Sequence, residues 1–596
     1  MAFDGIVLAA VTKELQVLIG CRIEKIYQPE ASCLVLHLHN RNNKTKLFLS
    51  AHPVNGRAHL SQLIYDNPLN PPLFCMLLRK HLEGGKIISI SQGENLERCL
   101  YVSVEVFDEV GDLKIRQLVI EIMGKHSNII LIDPVSGTII DSIKRVSSEV
   151  SRHREVLPGR KYLAPPAQNK LKLMELTEEQ FKTALFNFPL NSYLYKSVVK
   201  CLGGISTSIA KGLVLAAGLP LEIDLNSIGD YEFTKLWQQI IYLADIIRSE
   251  NFVPIVYADD NKLLDFAAVP FTHCVTAKEN IFDSMSQALD YYYEKKMAQE
   301  ALDKQKYNLH KVLNKELERL YKKRLIQEKT IAQAKDAEPL RLMGELLTAN
   351  IYRLKKGMIE VTVENFYDPT NGLITIPLER DLSPAQNTQN YFKKYNKAKV
   401  SAEKAHEQLL LTNDEISYLE SVMQSMLQAE TLAEVEEVSQ ELIKEGYLTQ
   451  PGKKKGREKK EKKAKTKYLK FLSGAGFPIL VGKNNRQNDL LTLKIAKDHD
   501  LWFHVKDIPG SHVIVQTNGR EVPDSTLEEA ALIAAYYSKG QSSSQVPVDW
   551  TQKKHVKKPS GARPGQVIYE NYKTIFITPD KQLVNELKKV NSTKEG

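Results

Sequence analysis

The sequence is poor in cysteine and contains no long apolar run. Its six cysteines show no CxxC pattern and no regular spacing: Cys21, Cys33, Cys75, Cys99, Cys201 and Cys274. Disulfide-stapled secreted domains and structural zinc modules need paired cysteines, so this pattern favours a reducing compartment. No stretch reaches the roughly 18 apolar residues that a membrane-spanning helix requires.

A secretory signal is absent as well. In the first residues, "MAFDGIVLAAVTKE", Asp4 stands where a signal peptide carries basic residues, and the apolar run Ile6–Val11 ends before Lys13. We therefore expect a cytoplasmic protein that does not contact a membrane.

Motifs for self-contained catalysis are also missing. The chain has no GxxxxGK[ST] phosphate loop, no HExxH zinc motif and no GxSxG nucleophile elbow. No spacing in the sequence brings a nucleophile to a base. We expect no catalytic residue, no metal and no cofactor, which indicates a binding protein.

What the sequence does contain is length and unevenly placed positive charge. Its 596 residues suggest three to five domains, and 43% hydrophobic with 26% charged residues is typical of globular proteins. Much of the net charge of +9 lies in 453–467, "KKKGREKKEKKAKTK", with ten Lys/Arg against two Glu. We interpret 436–468 as a basic linker. It is either a solvated tether or one that also holds a polyphosphate backbone.

The first 280 residues show two patterns. Alternation at Leu34, Leu36 and Leu38, and again in "LVIEIMGKHSNIILID", predicts an antiparallel β-rich domain over 1–168. Residues 169–280 are predicted to be helical from 171 onward. They include "VVKCLGGISTSIAKGLVLAAGL", a helix-hairpin-helix whose glycine turn either faces a phosphate or serves as scaffold.

A heptad pattern marks the middle of the chain. Apolar residues 391–426 recur at 4-3-4-3 spacing, and a second charged helical stretch at 285–330 carries leucines at similar spacing. Between them, 331–388 contains strand-like "MIEVTVENF" and "LITIPL". Two matched arms predict a long antiparallel coiled coil over 281–435 with a small tip module, 331–388.

Residues 469–596 are predicted to form an α+β domain containing the hairpin "DHDLWFHVKDIPGSHVIV". Period 2 places Leu501, Phe503 and Val505 on the core side, and Trp502, His504, Lys506 and His512 on the other. That second face is a metal site, a surface packed under a helix, or an exposed polar-ligand surface. The lack of nearby cysteine argues against zinc, and the basic character of the chain favours an exposed nucleic-acid surface.

The ordered motifs resemble the NFACT family, in its bacterial form. They are "MAFDGIVL", "EIMGKHSNIILID", the helix-hairpin-helix, the split coiled coil, "DLWFHVKDIPGSHV" and "AAYYSKG…VPVDWT…VKKPSGARPGQV". The resemblance implies a multi-domain α+β fold and binding to the large (50S) ribosomal subunit obstructed by peptidyl-tRNA. It also implies recruitment of alanyl-tRNA and mRNA-independent alanine tailing that marks the stalled chain for degradation. Implied partners are alanine tRNA, ribosomal RNA, stalk-base proteins and a small S4-type RNA-binding protein.

The resemblance also implies site residues. A family Asp-Arg pair corresponds to Glu97-Arg98, whose acid is longer by one methylene. Acids read base amino groups, arginine clamps phosphate and glycine allows close approach. The expected tRNA-binding residues are Asp4, Glu97, Arg98, Glu121, Ile122, Met123, Gly124, Lys125 and His126, although Ile122 and Met123 also suit a core. In the C-terminal domain the expected RNA-binding residues are Trp502, His504, Lys506, Ser511, His512, Lys554, Lys558 and Arg563.

Two other functions stay open at this point. One is a fibronectin-binding surface adhesin, which would need export. The other is a nucleic-acid-binding protein related to formamidopyrimidine-type DNA glycosylases. Those enzymes use an N-terminal proline amine followed by glutamate, whereas Ala2 and Phe3 stand there in this chain.

Overall fold

The computed structural model describes residues 3–40, 43–108, 111–149, 151, 153–166, 168–259, 262–369, 372–449 and 468–588. The chain divides into two compact units, 1–298 and 299–596. Among the described residues, no helix is both long and apolar enough to cross a lipid bilayer.

A nine-stranded antiparallel sheet dominates the first unit, in the order β4-β3-β2-β1-β5-β6-β7-β8-β9. Its strands are β1 (Arg22–Tyr27), β2 (Cys33–Asn40), β3 (Asn43–Ser50), β4 (Arg57–Leu60), β5 (Lys86–Gln92), β6 (Cys99–Phe107), β7 (Leu113–Glu121), β8 (Asn128–Asp133) and β9 (Thr138–Ser142). Helices α1 (Gly5–Leu15) and α2 (Leu73–Leu82) pack their apolar faces into the same core. The predicted antiparallel β-rich fold is confirmed.

Both faces of this sheet are covered in places. Leu34, Leu36 and Leu38 of β2 lie in the main core, as period 2 requires. Val35, on the opposite face, is buried too, in a smaller cluster with Phe48. Alternation therefore identified the strand, and tertiary packing decided that its second face is also dry.

Four helices follow the sheet, and two of them form the predicted helix-hairpin-helix. They are α3 (Glu178–Phe186), α4 (Leu194–Cys201), α5 (Thr207–Ala216) and α6 (Asp230–Arg248). In the turn between α4 and α5, Gly204 has a φ of 77°. A Cβ on Gly203 or Gly204 would lie 2.5 Å from Asn95 or 2.3 Å from Leu96, respectively. Glycine is therefore needed both for the backbone conformation and for close packing against the sheet domain.

The prediction that 171–280 is helical is wrong for its last part. Residues there form a three-stranded antiparallel sheet in the order β11-β10-β12. Its strands are β10 (Ile255–Asp259), β11 (Lys262–Ala267) and β12 (Lys278–Ile281). Pro254 cannot continue a helix, and the β-branched and aromatic residues after it favour a strand.

Two long helices form the arm: α7 (Met285–Lys335) and α9 (Pro384–Gln428). From residue 302 onward, the leucines of α7 share one apolar cluster with Ile416, Leu419 and Met426 of α9. Lys306 Nζ donates to the carbonyl of Leu427 at 3.1 Å, and the Tyr321 hydroxyl donates to Glu420 at 2.8 Å. Residue numbers rise along one helix as they fall along the other, so the predicted antiparallel coiled coil is confirmed.

The tip module is a helix packed on a hairpin. It contains α8 (Glu338–Ala349), β13 (Glu360–Glu364) and β14 (Leu373–Pro377), with a core of its own. The strands pair antiparallel with Thr362 opposite Thr375. Helix α10 (Leu432–Lys444) follows the arm and occupies the start of the segment predicted as linker, whereas the basic run 453–467 lies outside the described residues. The domain boundaries stay a prediction.

The last domain is built on a six-stranded sheet in the order β15-β16-β18-β17-β19-β22. Its strands are β15 (Leu469–Leu472), β16 (Pro478–Val481), β17 (Leu501–Val505), β18 (Val513–Val515), β19 (Val546–Gln552) and β22 (Lys573–Ile577). Helices α12 (Asp524–Tyr536) and α13 (Lys581–Lys588) contribute to the core on one face. On the other face lie α11 (Asn485–Leu490), a π-helical turn at Leu491–Ile495, and the two-stranded β20 (Val556–Lys557) and β21 (Ile568–Tyr569).

Candidate nucleic-acid interface

A cavity of about 1030 Å³ lies in the first unit, between the sheet domain and the helix-hairpin-helix turn. Its wall comes from chain segments near 94–98, 123–128, 144–156, 165–172 and 199–207. Six of the nine residues predicted for this domain line it: Asp4, Glu97, Arg98, Met123, Lys125 and His126. The fold therefore brings together side chains that are more than a hundred positions apart in the sequence.

The lining is positively charged. Three acids, Asp4, Glu94 and Glu97, face seven Lys/Arg side chains, and His126 and His153 add two imidazoles. The cations are Arg98, Lys125, Lys144, Arg145, Arg154, Lys170 and Lys172. A concave surface with this excess of cations attracts a polyanion.

Sequence reasoning missed the cations contributed after residue 140. The signal was present in "SIKRVSSEVSRHREV", 142–156, where basic residues cluster before a proline-rich boundary. Lys144 donates to the carbonyls of Ala51 and Ser127, at 2.5 and 2.9 Å. Burial lowers the pKa of Lys144. Because this segment folds back across the sheet, no local pattern placed it near Arg98.

Asp4 is the N-cap of α1. Its Oδ1 accepts hydrogen bonds from the amides of Ile6 at 3.1 Å and Val7 at 3.0 Å. Its carboxylate is also hydrogen-bonded by Ser206 of the helix-hairpin-helix turn, and Gly5 N donates to Gly204 O at 2.8 Å. Burial raises the pKa of Asp4 although these hydrogen bonds oppose the change. Asp4 therefore joins α1 to the turn at the edge of the cavity.

Glu97 and Arg98 stand at the entrance to β6, after a tight bend. Asn95 and Leu96 in that bend have φ values of 53° and 55°, which are unusual for residues other than glycine. Burial and Glu94 raise the pKa of Glu97. Burial lowers the pKa of Arg98, whereas the nearby Asp4 carboxylate opposes that change. The bend thus carries an adjacent acid and guanidinium to the cavity wall.

The segment "EIMGKH" splits between core and cavity. Gly124 has a φ of 63° and starts a 3-10 turn that ends at His126. The turn projects Lys125 and His126, both exposed, to the cavity, and Met123 is half-buried at its wall.

The expectation that Glu121 and Ile122 face a ligand is wrong. Both side chains are fully buried. Ile122 belongs to the main core, and the Glu121 carboxylate binds both terminal nitrogens of Arg154, one at 2.7 Å, and the Tyr162 hydroxyl at 3.0 Å. A carboxylate that a strand end carries into the core is costly to bury unless a cation pairs with it. Glu121 therefore holds Arg154 in the cavity wall.

The prediction that one face of the C-terminal hairpin is exposed is also wrong. Trp502, Ser511 and His512 are buried and His504 is half-buried. Trp502 packs with Leu491, Ile514 and Val556, because the π-helical turn and β20–β21 cover this face of the sheet. Burial lowers the pKa of His504 and lowers that of His512 well below its ordinary value. Of the three interpretations of this face that the sequence left open, the structure shows the one in which it packs beneath a helix.

The four predicted cations of this domain differ in exposure. Lys554 is exposed, whereas Lys506, Lys558 and Arg563 are half-buried. Lys558 Nζ lies 2.5 Å from Asp489, and Lys506 Nζ lies 5.3 Å from the centre of the Tyr572 ring. Only Lys554 therefore stands on an open surface among the eight residues predicted here.

One group in the first unit contains the residue types of a serine hydrolase. Ser208 donates to Asp265 at 2.5 Å and lies 3.2 Å from His273 Nδ1. Serine stands between the acid and the imidazole, whereas nucleophilic catalysis needs the imidazole between them. Across the described stretches of the chain, no cluster of three His, Cys, Asp or Glu residues could hold a metal ion.

Two family models match the chain. The model of the NFACT N-terminal and middle domains matches residues 4–463. The model of the NFACT protein RNA binding domain matches residues 467–571. Together they include every residue predicted above to bind RNA.

Curated relatives match over nearly the whole length. "Rqc2 homolog RqcH" of Bacillus subtilis is 39% identical over 590 residues, covering 99% of this chain and 100% of the relative. The protein of the same description from Streptococcus suis is 37% identical over 592 residues, with the same coverage. A solved N-terminal part of the fibronectin/fibrinogen-binding protein from Streptococcus suis is 35% identical. It covers 49% of this chain and 99% of its own, with a TM-score of 0.40.

Proposed function

The chain belongs to the NFACT family, and on that premise we propose that it acts in ribosome-associated quality control. It binds the large (50S) ribosomal subunit obstructed by peptidyl-tRNA and recruits alanyl-tRNA. It promotes mRNA-independent addition of alanines to the stalled chain, and the tail marks that chain for degradation. The peptide bond is made by the ribosome, so this protein supplies binding and placement.

The cavity of the first unit is the observation that carries the proposal. It is large enough to take unpaired nucleotides, and its cations suit a phosphate backbone. Arg98 offers a planar guanidinium for phosphate or for stacking, and Lys125 and His126 stand exposed nearby. These are the contacts that position an RNA strand.

Glu97 supplies the chemistry for base selection. A carboxylate accepts hydrogen bonds from the exocyclic amino groups of unpaired bases. Its carboxylate lies close to Gly93, where an added Cβ would come within 3.2 Å of Glu97 Oε2. A glycine at 93 therefore leaves room for the longer acid that stands here in place of the family aspartate.

The remaining partners follow from the same premise. Ribosomal RNA and stalk-base proteins are contacts of the arm and the C-terminal domain, and a small S4-type RNA-binding protein acts with the complex. The protein works in the cytoplasm on ribosomes. Lys554, which is exposed on the C-terminal domain, is a phosphate contact there.

Purification from cells with stalled translation, followed by sequencing of bound tRNA, tests the proposal. We expect co-purification of free large subunits and enrichment of alanine tRNA over its share of the cellular pool. Recovery of tRNAs in bulk proportion contradicts alanine selection. Recovery without large subunits contradicts the ribosomal role.

Arg98→Ala separates tRNA handling from subunit binding. We expect this variant to bind large subunits but to lose alanine tails, because the guanidinium lines the cavity proposed for tRNA. Arg248→Ala is the matched control, since Arg248 lies on α6 of the same unit, pairs with Asp245 and is not part of the cavity. Loss of subunit binding together with tails places Arg98 in the fold or on the ribosome instead.

A further inference from the structure

Helix α10 has two faces with different partners. Val435, Val438 and Leu442 pack into the apolar cluster of the arm. Glu434, Glu437 and Glu441 point to the C-terminal domain, since spacings of three and four residues place them on one side of a helix.

One short segment of the C-terminal domain binds this acidic face. Lys483 Nζ forms an ion pair with Glu434. Asn484 Nδ2 donates to Glu437 Oε2 at 2.7 Å, and Gln487 Nε2 donates to the same oxygen at 3.2 Å. Asn485 Nδ2 donates to Glu441 Oε1 at 3.0 Å. All of these contacts run from an ammonium or amide donor to a carboxylate oxygen.

Arg563 extends the same contact. Its Nη1 donates to the Tyr447 hydroxyl at 2.8 Å, and its guanidinium lies 4.9 Å from the centre of the Tyr418 ring. The Tyr447 hydroxyl in turn donates to Glu415 at 2.8 Å. A residue predicted to bind RNA is therefore engaged by Tyr418 of α9 and by Tyr447, which follows α10.

The side chains named above that the C-terminal domain contributes to this contact are all charged or polar. The apolar cluster of the arm and the two apolar clusters of the C-terminal domain share no residue among those that the structure describes. Burial raises the pKa of Glu441, so its charged form is desolvated at a cost. A contact held by charge and hydrogen bonds, with no shared apolar core, is sensitive to salt and to competing anions.

The donors in this contact are those that bind nucleic-acid phosphates. Lysine, arginine and side-chain amides are among the groups that proteins use to contact phosphate oxygens, and a carboxylate presents similar acceptor oxygens. We propose that Lys483, Asn484, Gln487 and Arg563 form a phosphate-binding site for single-stranded RNA that the acidic face of α10 covers in this structure. RNA displaces the helix, so α10 is an internal competitor. The inference rests on RNA binding by this domain, which is part of the proposed function.

A pair of neighbouring acids on α10 gives a matched test. Glu437 binds Asn484 and Gln487, whereas Glu436 is exposed and its hydrogen bond is with Gln440 of its own helix. Glu437→Gln and Glu436→Gln each remove one negative charge from the same helix. Binding of a labelled oligouridine of about 12 nucleotides to the full chain is measured by fluorescence anisotropy at about 0.15 M salt. We expect Glu437→Gln to bind about threefold more tightly than Glu436→Gln.

Equal oligouridine affinities of the two variants contradict the proposal that α10 competes with RNA, but they do not contradict RNA binding itself. No binding by either variant or by the unchanged chain contradicts both the inference and RNA binding by the domain. If Glu437→Gln strengthens oligouridine binding but the unchanged chain adds no alanine tails, the proposed function is contradicted and this inference stands.

Hydrogen–deuterium exchange supplies a readout from the protein side. We expect oligouridine to increase exchange in α10 of the unchanged chain, because RNA displaces the helix and it loses its contacts with the C-terminal domain. We also expect Glu434→Gln with Glu437→Gln to increase that exchange without RNA. Protection of α10 that is unchanged by saturating oligouridine overturns the proposal.

Discussion

The expected tRNA-binding residues of the N-terminal domain and the face of the C-terminal hairpin were both predicted to contact RNA, and the structure gives the two sets opposite surroundings. Six predicted residues of the first unit line an open, cationic cavity. The hairpin residues of the last domain instead form a second dry layer around Trp502.

The difference shows how ambiguous a mixed strand face is. Trp502 stacks near His504 and meets His512 edge-on, with ring centroids 5.7 and 5.3 Å apart. The same three side chains would suit base stacking if nothing lay above them. Residues 491–496 and 556–569 do lie above them, and both segments lie outside the hairpin itself. Exposure is therefore decided by elements that the hairpin pattern does not contain.

The largest expected effect is that of Trp502→Ala in the buried face of the hairpin. We expect a loss of about 3–5 kcal/mol in the free energy of unfolding of the C-terminal domain, because a fully buried indole is replaced by a cavity. Hydrogen–deuterium exchange of β17 in increasing urea measures this in the full chain. Trp502→Phe, which keeps most of the apolar volume, is expected to lose less. A stable Trp502→Ala variant that has lost only RNA binding would restore the exposed-face reading.

The next prediction concerns how the stability of the buried layer around Trp502 depends on pH. Burial lowers the pKa of both His504 and His512, so the folded domain holds them neutral while the unfolded chain takes up protons near pH 6.5. Their contribution to stability is present at neutral pH and is lost as pH falls below about 6.5. We expect the urea midpoint of the domain to decrease between about pH 7.5 and pH 5.5, and to decrease less in His512→Gln. An equal pH dependence in that variant contradicts the assignment to His512.

The smallest expected effect on stability is that of a substitution in the N-terminal cavity. Lys125 is exposed at the cavity mouth, so Lys125→Ala is expected to change stability by no more than about 0.5 kcal/mol. It is expected to weaken tRNA binding and reduce the salt slope of log K by about 1. Titrations of tRNA at several salt concentrations measure this, with Lys262→Ala, exposed and outside the cavity, as control. A large loss of stability would place Lys125 with Glu121 in the fold.

Local periodicity predicted the parts of the fold that depend on neighbours in sequence. From Tyr395 to Ile416 the seam residues are less exposed than the residues beside them, as the 4-3-4-3 spacing required. The glycines at 203 and 204 form the predicted turn. The sheet at 255–281 was missed because apolar residues in short runs fit a helix or a strand equally well.

The candidate site was predictable only in part, and for a comparable reason. Residue types at Glu97, Arg98 and Lys125 indicated anion and base contacts. The partners that complete the wall, such as Lys144 and Arg154, come from a segment that folds back across the sheet. Glu121 was misread because its neutralising cation, Arg154, lies 33 residues away.

Apart from the sheet at 255–281, the sequence by itself determined the main element types, the antiparallel arm and the chemistry available to a ligand, since each depends on spacing over a few residues. Tertiary structure alone decided which chemistry reaches solvent. A cavity and a buried face differ by what distant segments cover them, and that coverage follows from burying apolar area across the whole chain.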